Sequence, residues 1–519
     1  MWPRFGVKIS NSTFCIAYAK EDGKIEVIAN KQGDRVSPAC LFCEESEIEV
    51  GVTAKQKMSA KPGVGITNNL LLFGPELEDE EIERALKLIP CKFNNEVKEY
   101  ELIKQGETKP HKTLSPYEVC VEFFKATFEL ARQCHLHEEH PSVVLSIPEY
   151  YPHRNWKILS EAADEAGFHV AQIITEPTAA VLAYEMAEDE KLSSKIVLYI
   201  KTGGLCTSLA LFELGDGFYT VLKTVGPFYI GGSQITSALA DFICNEFYKK
   251  NKLDPNESRR SKAKVTSAAE NCKHILTSMP TTQVYIDSLM DGVDFNMQLT
   301  RARYESIMQP FLNDYSSTLT SALKEVNEDN RKIDEIILAG ATLKIPKIQS
   351  LINSLIPDAN VNTKFAPDEV VAIGCARQSL FIHPDHLDLE NTEEIYIVPE
   401  NIYIWHNDTT KVVENGIDKK SNKLNEKDIL CEKGMTVPNV FRIFVTESNP
   451  LPSTVENNAV TFSIQCGEFM KDIQVNDLKS KDGKFHLEIS IELNDEHIKH
   501  PVINIKPADV ESKEEQIKK

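Results

Sequence analysis

The stretch IVLYIKTGGLCTSLALF, residues 196–212, decides the fold. Residues 196–200 are apolar and predict a buried strand, residues 202–204 predict a glycine turn, and residues 205–212 predict a second strand. A hairpin turn at Asp216-Gly217 and a third strand over residues 218–225 complete a strand–turn–strand–turn–strand unit.

The same unit is predicted near the start of the chain. Residues 5–9 and 14–19 read as strands, Asp22-Gly23 is typical of a hairpin turn, and residues 25–28 predict the third strand. Lys8 and Lys201 hold matching places at the ends of the two first strands. This repetition indicates an internal duplication, so we expect two related lobes with a cleft between them.

Helices are predicted between the strands, which favours the α/β class. Apolar spacing places them at about residues 117–133, after Gly231-Gly232, at 263–276, and from Pro346 onward. Three junctions carry glycine, at residues 201–204, 230–233 and 338–346. Glycine lets backbone N–H groups approach a phosphate, and a helix N-terminus adds partial positive charge, so a nucleotide cleft is expected. For any single junction, an ordinary β-turn is the alternative.

Composition narrows the function classes. The 519 residues carry a formal net charge of -21, which disfavours direct nucleic-acid binding and favours a basic partner. No apolar run reaches the roughly 18–20 residues that span a bilayer, and residues 1–8 lack the pattern of a signal peptide. The twelve cysteines are mostly isolated, which suits reduced thiols in the cytosol.

The pattern changes after about residue 380. Residues 1–382 carry the α/β pattern, and the polar, acidic residues 383–395 predict a linker. Residues 396–508 predict a small all-β domain, with apolar runs at 402–405, 441–445, 460–464 and 487–493. Residues 509–519 predict a charged tail.

Several stretches resemble the heat shock protein 70 family, and the resemblance extends over nearly the whole chain. They are residues 29–38, 174–180, 183–184, 286–289, 300–303, 345–349 and 367–374. The resemblance implies an actin-like, two-lobed nucleotide-binding domain of duplicated ribonuclease-H-like units. It also implies a β-sandwich peptide-binding domain after it.

The chain departs from that family at the phosphate loops. Lys8 and Lys201 stand where the family has the aspartates that hold hydrated magnesium, and Cys206 stands in a threonine position. The family's catalytic lysine falls near Leu70. Lysines there would repel a divalent cation but can pair directly with phosphates. We therefore expect ATP to bind, with or without magnesium, no metal held by the protein, and hydrolysis weak or absent; a pocket that binds nothing is the alternative.

The resemblance also implies a set of nucleotide-binding positions. Four of them share one face of a helix and correspond to adenosine contacts, although Glu270 and Lys273 alone are equally typical of a solvated helix pair. The full set is Lys8, Ser12, Lys201, Gly203, Gly204, Gly231, Gly232, Glu270, Lys273, His274, Thr277, Gly340, Lys344 and Asp368.

The chain ends soon after its last predicted strand, so no helical lid is expected. A lidless chain with altered phosphate loops resembles the non-standard, ribosome-associated branch of the family. That implies a cytosolic co-chaperone that pairs with a zuotin-type J-domain protein. Through that partner it would reach the ribosome, nascent polypeptides and a standard heat shock protein 70. An active chaperone with a slow ATPase and a structural pseudo-ATPase with an empty cleft are the alternatives.

Two small clusters are weaker candidates. Cys40 and Cys43 form a single CxxC pair, and we do not expect it to hold a metal without a second pair. Cys134, His135, His137 and His140 resemble a ligand cluster, but a polar loop is the favoured interpretation.

Overall fold

The protein forms two compact units, residues 1–387 and 388–519. The computed structural model describes residues 5–382 except 21–22, 46, 74–82, 84, 105, 135–139, 152–153, 185–194 and 216–217, and from 383 onward only the backbone of strands between 396 and 507. The predicted linker and charged tail lie outside the described residues, as does the Asp216-Gly217 turn.

The first unit alternates strands and helices. Its helices are α1 (Val52–Met58), α2 (Pro116–Arg132), α3 (Arg154–Glu165), α4 (Glu176–Ala183), α5 (Gly232–Asn251), α6 (Arg259–Ser278), α7 (Arg301–Ile307), α8 (Gln309–Val326), α9 (Pro346–Leu355) and α10 (Val370–Gln378). Its strands are β1 (Phe5–Ile9), β2 (Thr13–Ala19), β3 (Ile25–Val27), β4 (Ser37–Pro38), β5 (Cys40–Cys43), β6 (Ile48–Val50), β7 (Gly65–Thr67), β8 (Lys92–Asn94), β9 (Glu99–Leu102), β10 (Lys112–Leu114), β11 (Ser142–Ile147), β12 (His169–Thr175), β13 (Lys195–Thr202), β14 (Thr207–Gly215), β15 (Phe218–Phe228), β16 (Thr281–Met290), β17 (Val293–Thr300), β18 (Glu335–Ala339) and β19 (Asn360–Asn362).

Two sheets of this unit share one strand order. The first reads β12-β11-β1-β2-β3, and the second, taken from its other edge, reads β19-β18-β13-β14-β15. In each, the central strand pairs parallel on one side and antiparallel on the other. Lys8 lies opposite Ser146 and Cys15, and Lys201 lies opposite Ala339 and Ser208. The two lysines therefore occupy equivalent register positions, as the sequence pattern predicts.

Two short helices, α4 and α10, share an apolar cluster with both sheets. The cluster joins residues of β1's neighbours and of β13 and β14 with ten small or aliphatic residues, six from α10 and four from α4. A Cβ at Gly374 would lie 1.6 Å from the Ala179 carbonyl oxygen, and one at Gly6 would lie 2.1 Å from the Ala376 nitrogen. Only glycine permits backbones to approach this closely, so these positions bring the helices against each other and against β1.

The outer faces of the two sheets have cores of their own. One packs β1, β2 and β11 against α2 and α3, and the other packs β13, β14 and β18 against α5, α6, α8 and α9. Helix α2 begins at a capping box, because Ser115 Oγ accepts from the Glu118 N–H at 3.2 Å and the Glu118 carboxylate accepts from the Ser115 N–H at 2.7 Å. The predicted helices at 117–133, after Gly231-Gly232, at 263–276 and from Pro346 are confirmed within a few residues at each end.

The second unit contains antiparallel sheets among its described residues. Their strands are β20 (Tyr396–Ile397), β21 (Ile402–His406), β22 (Lys411–Glu414), β23 (Asp428–Cys431), β24 (Thr436–Val437), β25 (Asn439–Thr446), β26 (Val460–Cys466), β27 (Phe469–Val475), β28 (Ser480–Lys481), β29 (Lys484–Glu492) and β30 (Val502–Pro507). They pair as β23-β21-β26-β27, as β22-β25-β29-β28 with β30 beside β29, and as β20-β24. The predicted apolar runs at 402–405, 441–445 and 460–464 lie on β21, β25 and β26, and residues 487–492 of the fourth lie on β29; residue 493 is outside the described residues.

The two weaker cysteine candidates separate in the structure. Cys40 and Cys43 are both buried on β5 but belong to different apolar clusters. Of the Cys134–His140 group, residues 135–139 lie outside the described part of the chain, and His140 contacts the Gly167 carbonyl oxygen at 3.1 Å. The ten cysteines with described side chains are free thiols. No described helix is long and apolar enough to cross a membrane.

Candidate functional site

The ends of β1 and β13 open onto one cavity of about 570 Å³. The turn after each strand contributes to its wall: residues 10–13 after β1 and residues 203–206 after β13. Helix α6 and the segment after β18 form another part of the wall. The duplicated sheets therefore bring their equivalent strand ends to a common space.

Most of the predicted site residues line this cavity. They are Lys8, Ser12, Leu70, Lys201, Gly203, Gly204, Cys206, Glu270, Lys273, His274, Thr277, Gly340 and Asp368. The structure places Gly231, Gly232 and Lys344 outside the lining.

Lys201 makes a buried ion pair with Glu176. Its ammonium group donates to Oε2 of Glu176, the first residue of α4, and the two side chains are 7% and 0% exposed. Burial opposes the charge of the Lys201 ammonium, but the carboxylates of Glu176 and Glu149 outweigh it and hold the pKa of Lys201 above its ordinary value. Lys201 lines the cavity, as expected, but its charge is already neutralised by a residue of α4, which follows the edge strand of the other sheet.

Glu149 lies beside this pair. Within the described part of the chain, both of its carboxylate oxygens are buried without a hydrogen-bond partner. Burial raises the pKa of Glu149 above the ordinary value, although the Lys201 charge lowers it. Tyr150, the next residue, contacts the Cys206 sulfur at 3.4 Å, and the Lys201 ammonium lies 5.8 Å from the centre of the Tyr150 ring. Lys201 thus faces two acids and an aromatic ring.

Lys8 has the opposite environment. It is 3% exposed and lines the cavity, yet within the described residues its ammonium group has no hydrogen-bond or ion-pair partner. Burial raises the pKa values of Cys15 and Cys375 near it, so those thiols remain neutral and supply no counter-charge. A buried charge without a partner is costly, so this position favours an anion in the cavity.

The two turns present backbone donors to the same space. Within the described residues, the N–H groups of Ser12, Gly204 and Leu205 donate to no backbone carbonyl, whereas the Gly203 N–H donates to the Cys206 carbonyl at 2.9 Å. Free N–H groups in successive turn residues form an anion-binding concavity. With Lys8, they give this end of the cavity the chemistry of a phosphate site.

The second glycine junction packs against the turn that follows β13. The N–H groups of Gly232 and Ser233 donate to the carbonyl oxygens of Gly203 and Gly204, at 3.0 and 2.8 Å. A Cβ at Gly231 would lie 2.7 Å from the Gly204 carbonyl oxygen. These glycines therefore pack the start of α5 against the turn at residues 203–206, and the Gly232 N–H is already used in a backbone hydrogen bond.

The third glycine junction also requires glycine because of its backbone conformation. Gly340 has a φ of 96°, and a Cβ there would lie 2.3 Å from the Thr202 carbonyl oxygen. Thr342 Oγ1 donates to the Gly203 carbonyl at 2.9 Å, so the segments after β13 and β18 are joined at the cavity wall.

Helix α6 supplies a charged network to another part of the cavity wall. The Lys273 ammonium lies 2.8 Å from Oε2 of Glu270, and His274 Nε2 lies 3.1 Å from Oε1. Burial raises the pKa of Glu270, but hydrogen bonds from His274, Lys273 and Thr236 outweigh it and hold the pKa well below the ordinary value. Glu270 is therefore a fixed carboxylate, and the interpretation of Glu270 and Lys273 as a merely solvated pair is wrong for the largely buried Lys273.

Lys344 does not line the cavity, but it pairs with Asp368, which does. Its ammonium lies 3.1 Å from Oδ2 of Asp368, while Oδ1 of the same carboxylate is buried and has no hydrogen-bond partner among the described residues. The neighbouring Glu369 carboxylate is 3.4 Å from Arg35. Both acids at the start of α10 are thus engaged by cations other than Lys8.

Sequence reasoning missed Glu176, Glu149 and Lys55. Glu176 lies within one of the stretches that carry the family resemblance. It is also a carboxylate at the start of a helix, and this position could have marked it as a candidate site residue. Glu149 follows β11 closely, and Lys55 lines the cavity from α1. Nothing in the sequence shows that a helix from one half reaches a lysine of the other.

The cavity fits a nucleotide better than a resident metal. Among the described residues, no group of three or more His, Cys, Asp or Glu side chains is arranged to hold a metal ion. Glu176 is committed to Lys201, and Lys8 places positive charge at the equivalent strand end. The donors present therefore suit phosphate oxygens and do not suit magnesium.

Comparison with known proteins identifies relatives. The family model described as Hsp70 protein matches residues 4–398. Heat shock 70 kDa protein 14 of Danio rerio is 32% identical over 387 residues, 74% of this chain and 76% of that protein. The Homo sapiens protein of the same name is 31% identical over 391 residues, 75% and 76% of the two chains. The resemblance predicted from the sequence is confirmed.

Proposed function

Because the chain belongs to the Hsp70 family, we propose that it is a non-standard co-chaperone that binds ATP with little or no hydrolysis. The observation that carries this proposal is the presence of Lys8 and Lys201 at the two equivalent strand ends of the cavity. Membership in the family implies nucleotide binding. Lys8, which is buried and has no partner among the described residues, supports a phosphate site there, as do the turn N–H groups that donate to no described carbonyl.

Weak hydrolysis follows from the charges near the phosphate end. Phosphoryl transfer needs developing negative charge to be neutralised and an attacking water to be positioned. Leu70 supplies no charge, Glu176 is held by Lys201, and Cys206 is a neutral thiol because burial raises its pKa. Loss of one such electrostatic element costs on the order of 10²–10³ in rate. The loss of several leaves little turnover.

The finer architecture belongs to the same proposal. We interpret the matching strand orders as the two lobes of an actin-like domain, residues 1–382, and the antiparallel sheets beyond it as a β-sandwich over residues 396–508. Residues 383–395 would link them, and residues 509–519 would form a charged tail.

The proposed setting is the cytosol, at the ribosome. The partner would be a zuotin-type J-domain protein, which would bring the pair to nascent polypeptides and to a standard heat shock protein 70. A net charge of -21 supports indirect attachment, because an acidic protein is repelled by ribosomal RNA and attracted by a basic partner.

The test is ATP binding and turnover measured together on the purified full-length chain, with magnesium and with a chelator. We expect ATP to raise the melting temperature in both conditions, with turnover close to the background of buffer alone. Magnesium-dependent turnover stimulated by a J-domain would replace the proposal with a slow but active chaperone. The absence of any ATP-induced shift would indicate a structural pseudo-ATPase with an empty cavity.

A further inference from the structure

We propose that Lys8 and Lys201 have different tasks: Lys8 binds the phosphate chain of a metal-free nucleotide, and Lys201 is a structural cation held by Glu176. This inference rests on the proposed nucleotide binding. It states further that the cavity prefers nucleotide without magnesium to nucleotide with magnesium, and that Lys8 is responsible for this preference.

Lys201 is already satisfied inside the protein. Its pair with Glu176 is buried on both sides, and Glu149 lies near enough to interact with the same ammonium. Moving Lys201 toward a ligand would leave the fully buried Glu176 carboxylate without its partner. Breaking a buried pair in that way is strongly unfavourable, so Lys201 remains with Glu176.

In the part of the chain that the structure describes, Lys8 lacks the corresponding pair. The duplicated strand order places Lys8 where Lys201 lies in the other sheet, and α10 corresponds to α4 because each follows the outermost strand on its side. The residues that would correspond to Glu176 are therefore the acids at the start of α10. Asp368 is paired with Lys344 and Glu369 with Arg35, so neither neutralises Lys8.

The partner that Lys8 lacks is therefore a ligand anion. Lys8 lines the cavity together with Ser12, Gly204 and Leu205, whose N–H groups donate to no backbone carbonyl in the described part of the chain. A triphosphate without a metal carries its full negative charge to these donors. A divalent cation on the same oxygens would reduce that charge and meet Lys8 at close range. Magnesium should therefore weaken binding, the reverse of what a metal-holding site shows.

The experiment measures ATP affinity and melting temperature of the full-length chain in EDTA and in excess magnesium. The variants are Lys8→Met, Lys201→Met, the double variant Lys201→Met/Glu176→Gln, and Lys249→Met as a control for lost charge, since Lys249 is exposed on α5. For the wild type we expect weaker ATP binding in magnesium than in EDTA.

The two lysines should then respond differently. Lys8→Met should weaken ATP binding by about 10- to 100-fold, the loss expected for a hydrogen bond to a charged group, without lowering the melting temperature of the ligand-free protein. Lys201→Met should lower that melting temperature, and adding Glu176→Gln should restore it. The double variant should lose less than tenfold in affinity. Lys249→Met should match the wild type.

Three results would overturn the inference while leaving ATP binding itself established. They are tighter binding in magnesium than in EDTA, a double variant that loses as much affinity as Lys8→Met, and no rescue of Lys201→Met stability by Glu176→Gln. If the wild type binds no ATP in either condition, the proposed function fails, and this inference fails with it.

Discussion

Glu149 shows how one buried group sets a pH dependence. Burial raises the pKa of its carboxyl group in the folded protein, although the Lys201 charge opposes the shift. The folded state therefore binds this proton more tightly than the unfolded chain does, whose carboxyl has a pKa of about 4.3. Stability is lost as the pH rises from that value through the raised one.

Glu149→Gln should remove this loss. We expect the variant to melt at a higher temperature than the wild type at pH 7, and the difference to shrink as the pH falls toward 4. Thermal unfolding across that range measures it, with Glu161→Gln on the exposed face of α3 as the control. A lower melting temperature at pH 7 would mean that Glu149 is stabilised as a carboxylate, and a difference independent of pH would mean that its titration does not affect stability.

For single residues, the sequence predicts positions better than it predicts contacts. The alternation of apolar residues identifies Lys8 and Lys201 as equivalent strand-end positions, because side-chain direction in a strand has period two. Their partners do not follow from that pattern. Glu176 reaches Lys201 from a helix packed against both sheets, and Gly232 loses its N–H to a turn that is distant in sequence.

At the scale of elements, the α4–α10 contact depends on Gly374. A Cβ there would meet the Ala179 carbonyl oxygen at 1.6 Å, which is backbone and cannot rotate away. We expect Gly374→Ala to destabilise the protein by about 1–3 kcal/mol or more. Denaturant unfolding measures this, and Ser354→Ala, exposed on α9, should change stability by no more than about 0.5 kcal/mol. Equal stability of Gly374→Ala and the wild type would show that the helices can separate at low cost.

The elements themselves were largely predictable. Strand periodicity, Asp-Gly turns and the proline of α9 indicate most of β1–β3, β13–β15 and the main helices within a few residues. The short strands β4–β10 carry little periodic signal, since a strand of two to four residues completes barely one alternation. Long-range pairing, such as β1 with β11, depends on the packing of the whole unit.

At the scale of the whole molecule, the net charge determines whether we expect the free protein to bind ribosomes. With 78 acidic and 57 basic side chains, the free protein should not sediment with salt-washed ribosomes at physiological ionic strength. Co-sedimentation should appear when a zuotin-type J-domain partner is added. A basic protein of similar size serves as the positive control, and binding by the lone chain would contradict attachment through the partner.

The contribution of the Lys201–Glu176 pair to stability depends on temperature. Removing charges from water costs less as temperature rises, because the hydration of ions carries a strongly negative entropy, whereas apolar burial gains little more per unit area. The pair joins a strand of one sheet to a helix that follows the edge strand of the other. Its contribution to holding the two sheets in place therefore grows during warming, at the temperatures where the demand on chaperones is greatest.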